Sequence, residues 1–291
     1  MVLAWTETLD GAAGTVHLAG TDRSGGGAGR SVGPWAGLNL GPHVGDDPAA
    51  VEANVAAVAA AAGLAPDRLL RVRQVHGADV VHATGPWPGE PPEADAVVTD
   101  RADLGLLVMV ADCVPVLLAA PDEGLLGVAH AGRPGLRAGV VPATVAAMRD
   151  LGATRLEARL GPSVCPRCYP VPAAMRDDVA AIAPASRSVS WTGEPALDVG
   201  AGVLEQATAA GVQVRQRPGC TVESPDLYSL PARRRHRPVR RSGLAHHVTG
   251  PDDGPDHADP RAVERARAWT PSRSGCALRA PPRGASAPTS G

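Results

Sequence analysis

Phenylalanine is absent from this 291-residue chain, isoleucine occurs once, tyrosine and asparagine twice each, and all 28 basic residues are arginine. Such a bias is the mark of a GC-rich coding sequence. It leaves the volume of a core to Leu, Val and Ala, and with hydrophobic residues at 44% of the chain that volume is sufficient. Charge is nearly balanced, at a formal net -2, so no partner held by bulk electrostatics is expected. No apolar run reaches the roughly 18 residues of a membrane span, and the N-terminus has no basic stretch followed by an apolar one, so neither a membrane helix nor a signal peptide is expected. Cysteine is sparse: the five, at 113, 165, 168, 220 and 276, are odd in number and fall short of a secreted disulfide scaffold. A soluble, monomeric protein of the reducing cytoplasm is the expectation.

What is present alternates. The segments Val80 to His82, Ala96 to Thr99, Gly105 to Val110, Val116 to Ala119 and Leu125 to His130 are short apolar runs bounded by Pro, Gly or Asp, and read as strands. Between and after them lie Ala-rich stretches with helical spacing, Pro48 to Gly63, Gly139 to Gly152, Pro172 to Ile182 and Ala196 to Gly211. The first carries Asp47 as N-cap, Pro48 in its first turn and Gly63 as its stop. This pattern predicts a single α/β domain over residues 1–229, a layered sandwich whose mixed sheet is covered by helices. Gly25-Gly26-Gly27 lacks the strand-then-helix context of a phosphate-binding fingerprint and reads as a loop.

Strand ends are where such folds gather their chemistry. His76, Cys113 and His130 each stand where an extended apolar run meets a Gly-containing turn. Two imidazoles and one thiolate suit Zn²⁺, and three protein donors leave a coordination position open, as catalytic sites do. A single copper in the same His₂Cys set is chemically possible. A multicopper centre needs about ten His ligands, whereas the chain has 9 His, five of them before residue 231. Zinc is therefore the expected ion.

Gly37-Leu38-Asn39-Leu40-Gly41, His43-Val44-Gly45-Asp46, Gln74-Val75-His76-Gly77, Ala94-Asp95-Ala96, Ala111-Asp112-Cys113-Val114-Pro115-Val116 and Gly161-Pro162-Ser163 follow one another along the chain. That ordered series resembles the laccase-domain family, also called YfiH-like, across about residues 15–230. The resemblance implies a His-Cys-His zinc site at His76, Cys113 and His130. It also implies phosphorolysis of purine nucleosides (adenosine, inosine, methylthioadenosine), deamination of adenosine, and, from older descriptions of the family, polyphenol oxidation.

An open position on zinc makes hydroxide available near neutral pH for attack on a purine C6. Phosphorolysis asks instead for anion donors and for stabilisation of an oxocarbenium-like sugar. Arg71, Arg73 and His43 are candidate anion donors, and the amides of Asn39 and Gln74 are candidates to orient ribose or base. Asp112 reads either as a proton carrier and partner of a ligating His or as a turn cap. A competing chemistry uses Cys113 as nucleophile with His130 as base. The family's fold resembles cysteine hydrolases, and editing of peptidoglycan precursors is associated with some members. A third possibility is a degraded relative without turnover.

Two motifs depart from the family. Where it has His-Ala-Gly-Trp-Arg-Gly this chain has His130-Ala131-Gly132-Arg133-Pro134-Gly135, and Pro134 removes a backbone donor. Cys165-Pro166-Arg167-Cys168-Tyr169 is followed by Pro170 where the family usually has Glu. Because no second Cys pair exists before residue 230, an independent metal site at Cys165 and Cys168 is not expected. From Leu230 the resemblance stops, and residues 230–291 read as an Arg/Pro/Gly-rich disordered tail with no specific nucleic-acid role. Leu230 to Arg241 can also be encoded so that deleting the first base yields Tyr-Arg-Arg-Asp-Gly-Val-Thr-Gly-Arg-Phe-Ala-Gly, similar to the family's C-terminal motif. An out-of-frame translation of 230–291 follows as a hypothesis, which resequencing codon 230 decides.

Overall fold

The computed structural model describes residues 1–229 and the backbone of 274–279. In chain order the elements are β1 (Trp5–Gly11), β2 (Gly14–Gly20), α1 (Pro48–Ala61), β3 (Leu69–Leu70), β4 (Val80–His82), β5 (Ala96–Thr99), β6 (Gly105–Val110), β7 (Val114–Ala120) and β8 (Leu125–Ala131). There follow α2 (Arg133–Ala138), α3 (Val140–Asp150), β9 (Glu157–Leu160), α4 (Ala173–Ile182), β10 (Arg187–Val189), β11 (Pro195–Leu197), α5 (Val199–Ala209), β12 (Gln213–Gln216) and β13 (Ser274–Arg279). Two mixed sheets result, β1-β2-β13-β6-β3 and β12-β9-β7-β8-β5-β4, besides the β10-β11 pair.

Period-2 alternation in the apolar strands sorts them between layers. On β6, Leu106, Val108 and Val110 point into a cluster shared with Val97, Leu117, Leu126 and Val128 of the other sheet. Leu107 and Met109, one register off, pack instead with Val55, Val58 and Ala59 of α1. The six-stranded sheet is likewise two-faced: Val114, Val116, Leu118 and Ala129 meet Val141, Val145 and Met148 of α3 and Val203 of α5. The expected layered α/β sandwich is thus four layers deep, helix, sheet, sheet, helix, with the two sheets face to face rather than one sheet covered on both sides. Strands buried on both faces explain why their runs are continuously apolar.

Local chemistry sets the helix ends. Asp47 caps α1 through its carboxylate, which accepts from the Ala49 N–H at 3.0 Å, and Gly63 leaves the helix at φ +69°, a left-handed angle that suits glycine. Val51, Val55 and Val58 form the buried stripe of α1, each worth about 1.5–3 kcal/mol of transfer free energy. Pro134 breaks nothing. It lies in the first turn of α2, where a backbone N–H has no intrahelical acceptor to lose. In the expected tail, Ser274–Arg279 is a strand hydrogen-bonded between β2 and β6. The rest of 230–291 lies outside the described residues.

Candidate metal centre

Strand pairing assembles the centre. β7 and β8 are antiparallel with Val114 opposite Ala131 and Pro115 opposite His130, so Cys113, one residue before β7, stands beside His130 near the end of β8. β5 pairs with β8 on its other side, Ala96 opposite Ala129, which sets Asp95 against His130. The His130 N–H donates to the Asp95 carbonyl at 2.7 Å, and His130 Nδ1 meets Asp95 Oδ1 at 2.7 Å. His76 arrives on the loop between β3 and β4. The same Asp95 carboxylate accepts from the N–H groups of Val75 at 3.2 Å, His76 at 2.9 Å and Gly77 at 2.5 Å. One buried carboxylate therefore orients one imidazole through its ring nitrogen and the other through its backbone.

Cys113 Sγ lies 3.9 Å from His76 Nε2, the two imidazole centroids are 4.6 Å apart at 73°, and one donor atom from each of the three residues lies within 4.8 Å of the others. A tetrahedral zinc ion with ordinary bond lengths places sulfur and nitrogen about 3.6 Å apart. The donor set and its spacing fit such an ion. With Nδ1 engaged by Asp95, His130 presents Nε2 to the centre.

Electrostatics at the trio favour a charged pair. Burial by itself pushes the Cys113 thiol up, but His130 and then His76 outweigh it and bring the thiol from 9.0 down to about 6. For His130, burial opposes charge, yet the Cys113 thiolate and Asp95 prevail and raise it from 6.5 to about 9. A thiolate is the form in which cysteine binds metal or attacks an electrophile.

Backbone geometry at the site is unusual. His76 at φ +61° and Asp112 at φ +79° are the two non-glycine residues in the left-handed region among those described. Such conformations cost about 1–3 kcal/mol each and persist where the surroundings enforce them. At His76 the enforcement is Asp95. At Asp112 it is the Thr221 hydroxyl, donating to Oδ1 at 2.6 Å, and the Val164 N–H, donating to the Asp112 carbonyl at 2.9 Å. Gly132 allows the trio to close, because a Cβ there would come within 2.9 Å of both Cys113 Sγ and His76 Cδ2.

The remaining residues expected at the site divide into two groups. Asn39 and Gln74 are buried and engaged with the protein itself. Asn39 Nδ2 donates to Asp46 at 2.8 Å while its oxygen accepts from Gly41 N–H at 3.0 Å; Gln74 exchanges bonds of 2.8 and 2.9 Å with both backbone groups of Met109. In this geometry both amides are bonded within the protein, Asn39 to its own loop and Gln74 to the β6 backbone. His43 is exposed, and after desolvation the charges of Arg71 and Arg73 hold its pKa down, so the three are electrostatic neighbours. Arg71 pairs with Glu52 and Arg73 with Glu93 at 2.7 Å, while Arg71 Nη1 is buried with no hydrogen-bond partner in the described structure. Asp95, quoted in the sequence only as part of a motif, was missed as an organiser: nothing local marks a carboxylate that serves residues 75–77 and 130 together.

Fold and site together define a four-layer α/β protein in which His76, Cys113 and His130 form a group that could hold a metal ion. The family model described as multi-copper polyphenol oxidoreductase laccase matches residues 17–243, and the chain belongs to that family. A purine nucleoside phosphorylase of Streptomyces coelicolor is 52% identical over 227 residues, covering 77% of this chain and 91% of the relative. One from Corynebacterium glutamicum is 42% identical over 243 residues, 82% of this chain and 97% of that protein. Among solved structures, YlmD from Geobacillus stearothermophilus superposes with a TM-score of 0.69 at 25% identity over 92% of each chain. Neisseria meningitidis protein NMB0706 gives 0.70 at 27% over 95% of this chain and 99% of its own. Among the described residues no helix is long and apolar enough to cross a membrane.

Proposed function

We propose that the chain is a zinc-dependent purine nucleoside phosphorylase, acting on adenosine, inosine and methylthioadenosine, with adenosine deaminase activity. The convergence of His76, Cys113 and His130, whose donor atoms lie within 4.8 Å of one another, is the observation that supports the reading. Relatives bearing the phosphorylase name support it. The protein acts as a monomer in the cytoplasm, where a reducing medium keeps Cys113 able to bind metal.

His76, Cys113 and His130 would hold the ion, which when bound would supply Lewis-acid charge beside the reactants. In phosphorolysis a phosphate oxygen forms a bond to ribose C1′ as the bond from C1′ to the purine nitrogen breaks. The electron pair of that bond leaves with the base, which takes up a proton. His43, Arg71 and Arg73 receive the phosphate, and the buried Arg71 Nη1 is the donor best placed to be recruited. Asp112, fixed by Thr221, carries the proton to the departing base. In deamination the oxygen of water bonds to purine C6 and ammonia leaves, with Asp112 moving a proton from the water to the amino group. Asn39 and Gln74 keep the loops that carry these groups in shape.

Incubation of the purified protein with inosine and phosphate, with and without chelator, is the test. Hypoxanthine release that chelator abolishes is the expected result. One observation favours a second reading: Cys113 thiolate, His130 imidazolium and Asp95 also form the arrangement of a cysteine hydrolase. Turnover of a peptidoglycan-precursor amide by metal-free protein decides for it. Silence in both assays makes the chain an inactive relative. A single copper in the same donors, and with it polyphenol oxidation, is the least supported alternative.

A further inference from the structure

Beside the turn that carries Asp112, two loops bring four further donors together. Cys165 and Cys168 flank a turn in which the Cys168 N–H donates to the Cys165 carbonyl at 3.0 Å. Cys220 and Glu223 flank a turn of the same kind, the Glu223 N–H donating to the Cys220 carbonyl at 3.2 Å. A parallel bridge between Ser163 and Cys220 joins the loops, and one ligand atom from each of Cys165, Cys168, Cys220 and Glu223 lies within 4.8 Å of the others. Sequence spacing hides this site because its second half is Cys220-x-x-Glu223, with a carboxylate where a second Cys pair would end in sulfur.

We propose that Cys165, Cys168, Cys220 and Glu223 bind a structural zinc ion, a second metal centre independent of the one at His76, Cys113 and His130. Three thiolates and one carboxylate are a complete tetrahedral set, and soft sulfur selects zinc over the hard divalent cations. Cys168 Sγ is 3.5 Å and Cys165 Sγ 4.0 Å from Glu223 Oε1, against about 3.5 Å between S and O ligands on a tetrahedral zinc. Backbone N–H groups aim at the Cys220 sulfur, that of Cys165 from 3.4 Å, as they do toward metal-bound thiolates.

The clamp has a target. Thr221 lies between two of the ligands and donates its N–H to Ser163 at 3.1 Å, while its hydroxyl holds the Asp112 carboxylate. Val164, next to Cys165, donates its N–H to the Asp112 carbonyl. An ion binding the two loops therefore fixes Asp112 from both sides, next to Cys113.

Metal content of the full chain after exhaustive dialysis, by plasma mass spectrometry, tests the proposal. Wild type is expected to hold two zinc equivalents, Cys113→Ala one, and Cys113→Ala/Cys168→Ser none, with circular dichroism confirming the fold. In the Cys113→Ala background, Glu223→Gln keeps all three thiolates and is expected to yield its zinc to a chromophoric chelator more readily than its parent. A Cys113→Ala protein free of zinc, zinc that survives Cys168→Ser, zinc held as tightly after Glu223→Gln, or a Cys165–Cys168 disulfide found after alkylation of the native protein each overturns it.

Discussion

Asp95→Asn tests how the primary centre is held. The carboxylate serves four donors: Oδ1 takes the His76 N–H and His130 Nδ1, and Oδ2 takes the Val75 and Gly77 N–H groups. Asparagine offers one oxygen and one amino group, so whichever way its amide turns, two of the four donors face another donor. A buried donor left without its acceptor costs about 1–3 kcal/mol, hence about 2–6 kcal/mol for the pair. Against a stability of about 5–15 kcal/mol this is a large fraction. If the oxygen stays on His130, the 75–77 backbone loosens and His76 with it; if it turns away, His130 loses the bond that fixes its tautomer. Either route is expected to weaken zinc binding about 10- to 100-fold, measured by competition with a chromophoric chelator, and to lower the melting temperature of the metal-free protein by roughly 5–20 °C. Glu93→Gln, at an exposed ion pair on the neighbouring loop, is the control and is expected to move neither. Unchanged zinc affinity together with an unchanged melting temperature in Asp95→Asn would refute the reasoning.

Gly132→Ala adds a methyl group 2.9 Å from Cys113 Sγ and His76 Cδ2; overpacking of this kind costs about 1–3 kcal/mol, and zinc stoichiometry at the primary centre is expected to fall in a chain that still folds. Arg159, 2% exposed, binds Glu7 at 2.7 Å and Glu157 at 3.1 Å. Its removal in Arg159→Ala is expected to cost about 3 kcal/mol in urea unfolding, the low end for a broken buried pair because both carboxylates keep some water. Arg159 first, then Arg217, hold the Glu7 carboxyl below its usual 4.5, so the stability it contributes is present above pH 4.5 and lost as pH falls through the lower folded value. Unfolding midpoints between pH 5 and 3 should flatten in Glu7→Gln; an unaltered slope speaks against the linkage. Under the phosphorylase reading, Arg71→Gln removes a charge-assisted bond worth about 1.5 kcal/mol, so the KM for phosphate should rise about tenfold while that for inosine stays put; an equal rise in both removes Arg71 from the phosphate site.

The strands at 80–82, 96–99 and 105–110 were legible to the residue, because each is a short apolar run set off by Pro, Gly or Asp, the last two being buried on both faces. The β1–β2 hairpin was not, since Thr6, Thr8 and Asp10 alternate with only partly buried residues and no apolar run forms. α2 was hidden by Pro134, which reads as a breaker until its place in the first turn is known. At the site, motif order singled out three residues whose donor atoms do lie together, but the partners of the surrounding groups needed space. Asn39 and Gln74 look like recognition amides in sequence, and only the structure shows their bonds to Gly41 and Met109. Asp95 and Thr221 gain their importance from contacts far along the chain, with residues 130 and 112, which no local pattern encodes.

The placement of β13 has a bearing on synthesis. In register it sets Cys276 opposite both Gly20 and Val108, so a seam in the first sheet is filled by a segment the ribosome makes long after its two neighbours. Until then β2 and β6 carry bare hydrogen-bonding margins, a template for stray pairing with other chains. A nascent molecule of this protein is therefore most exposed to aggregation late in translation, and chaperone dependence should track the delay before those six residues emerge.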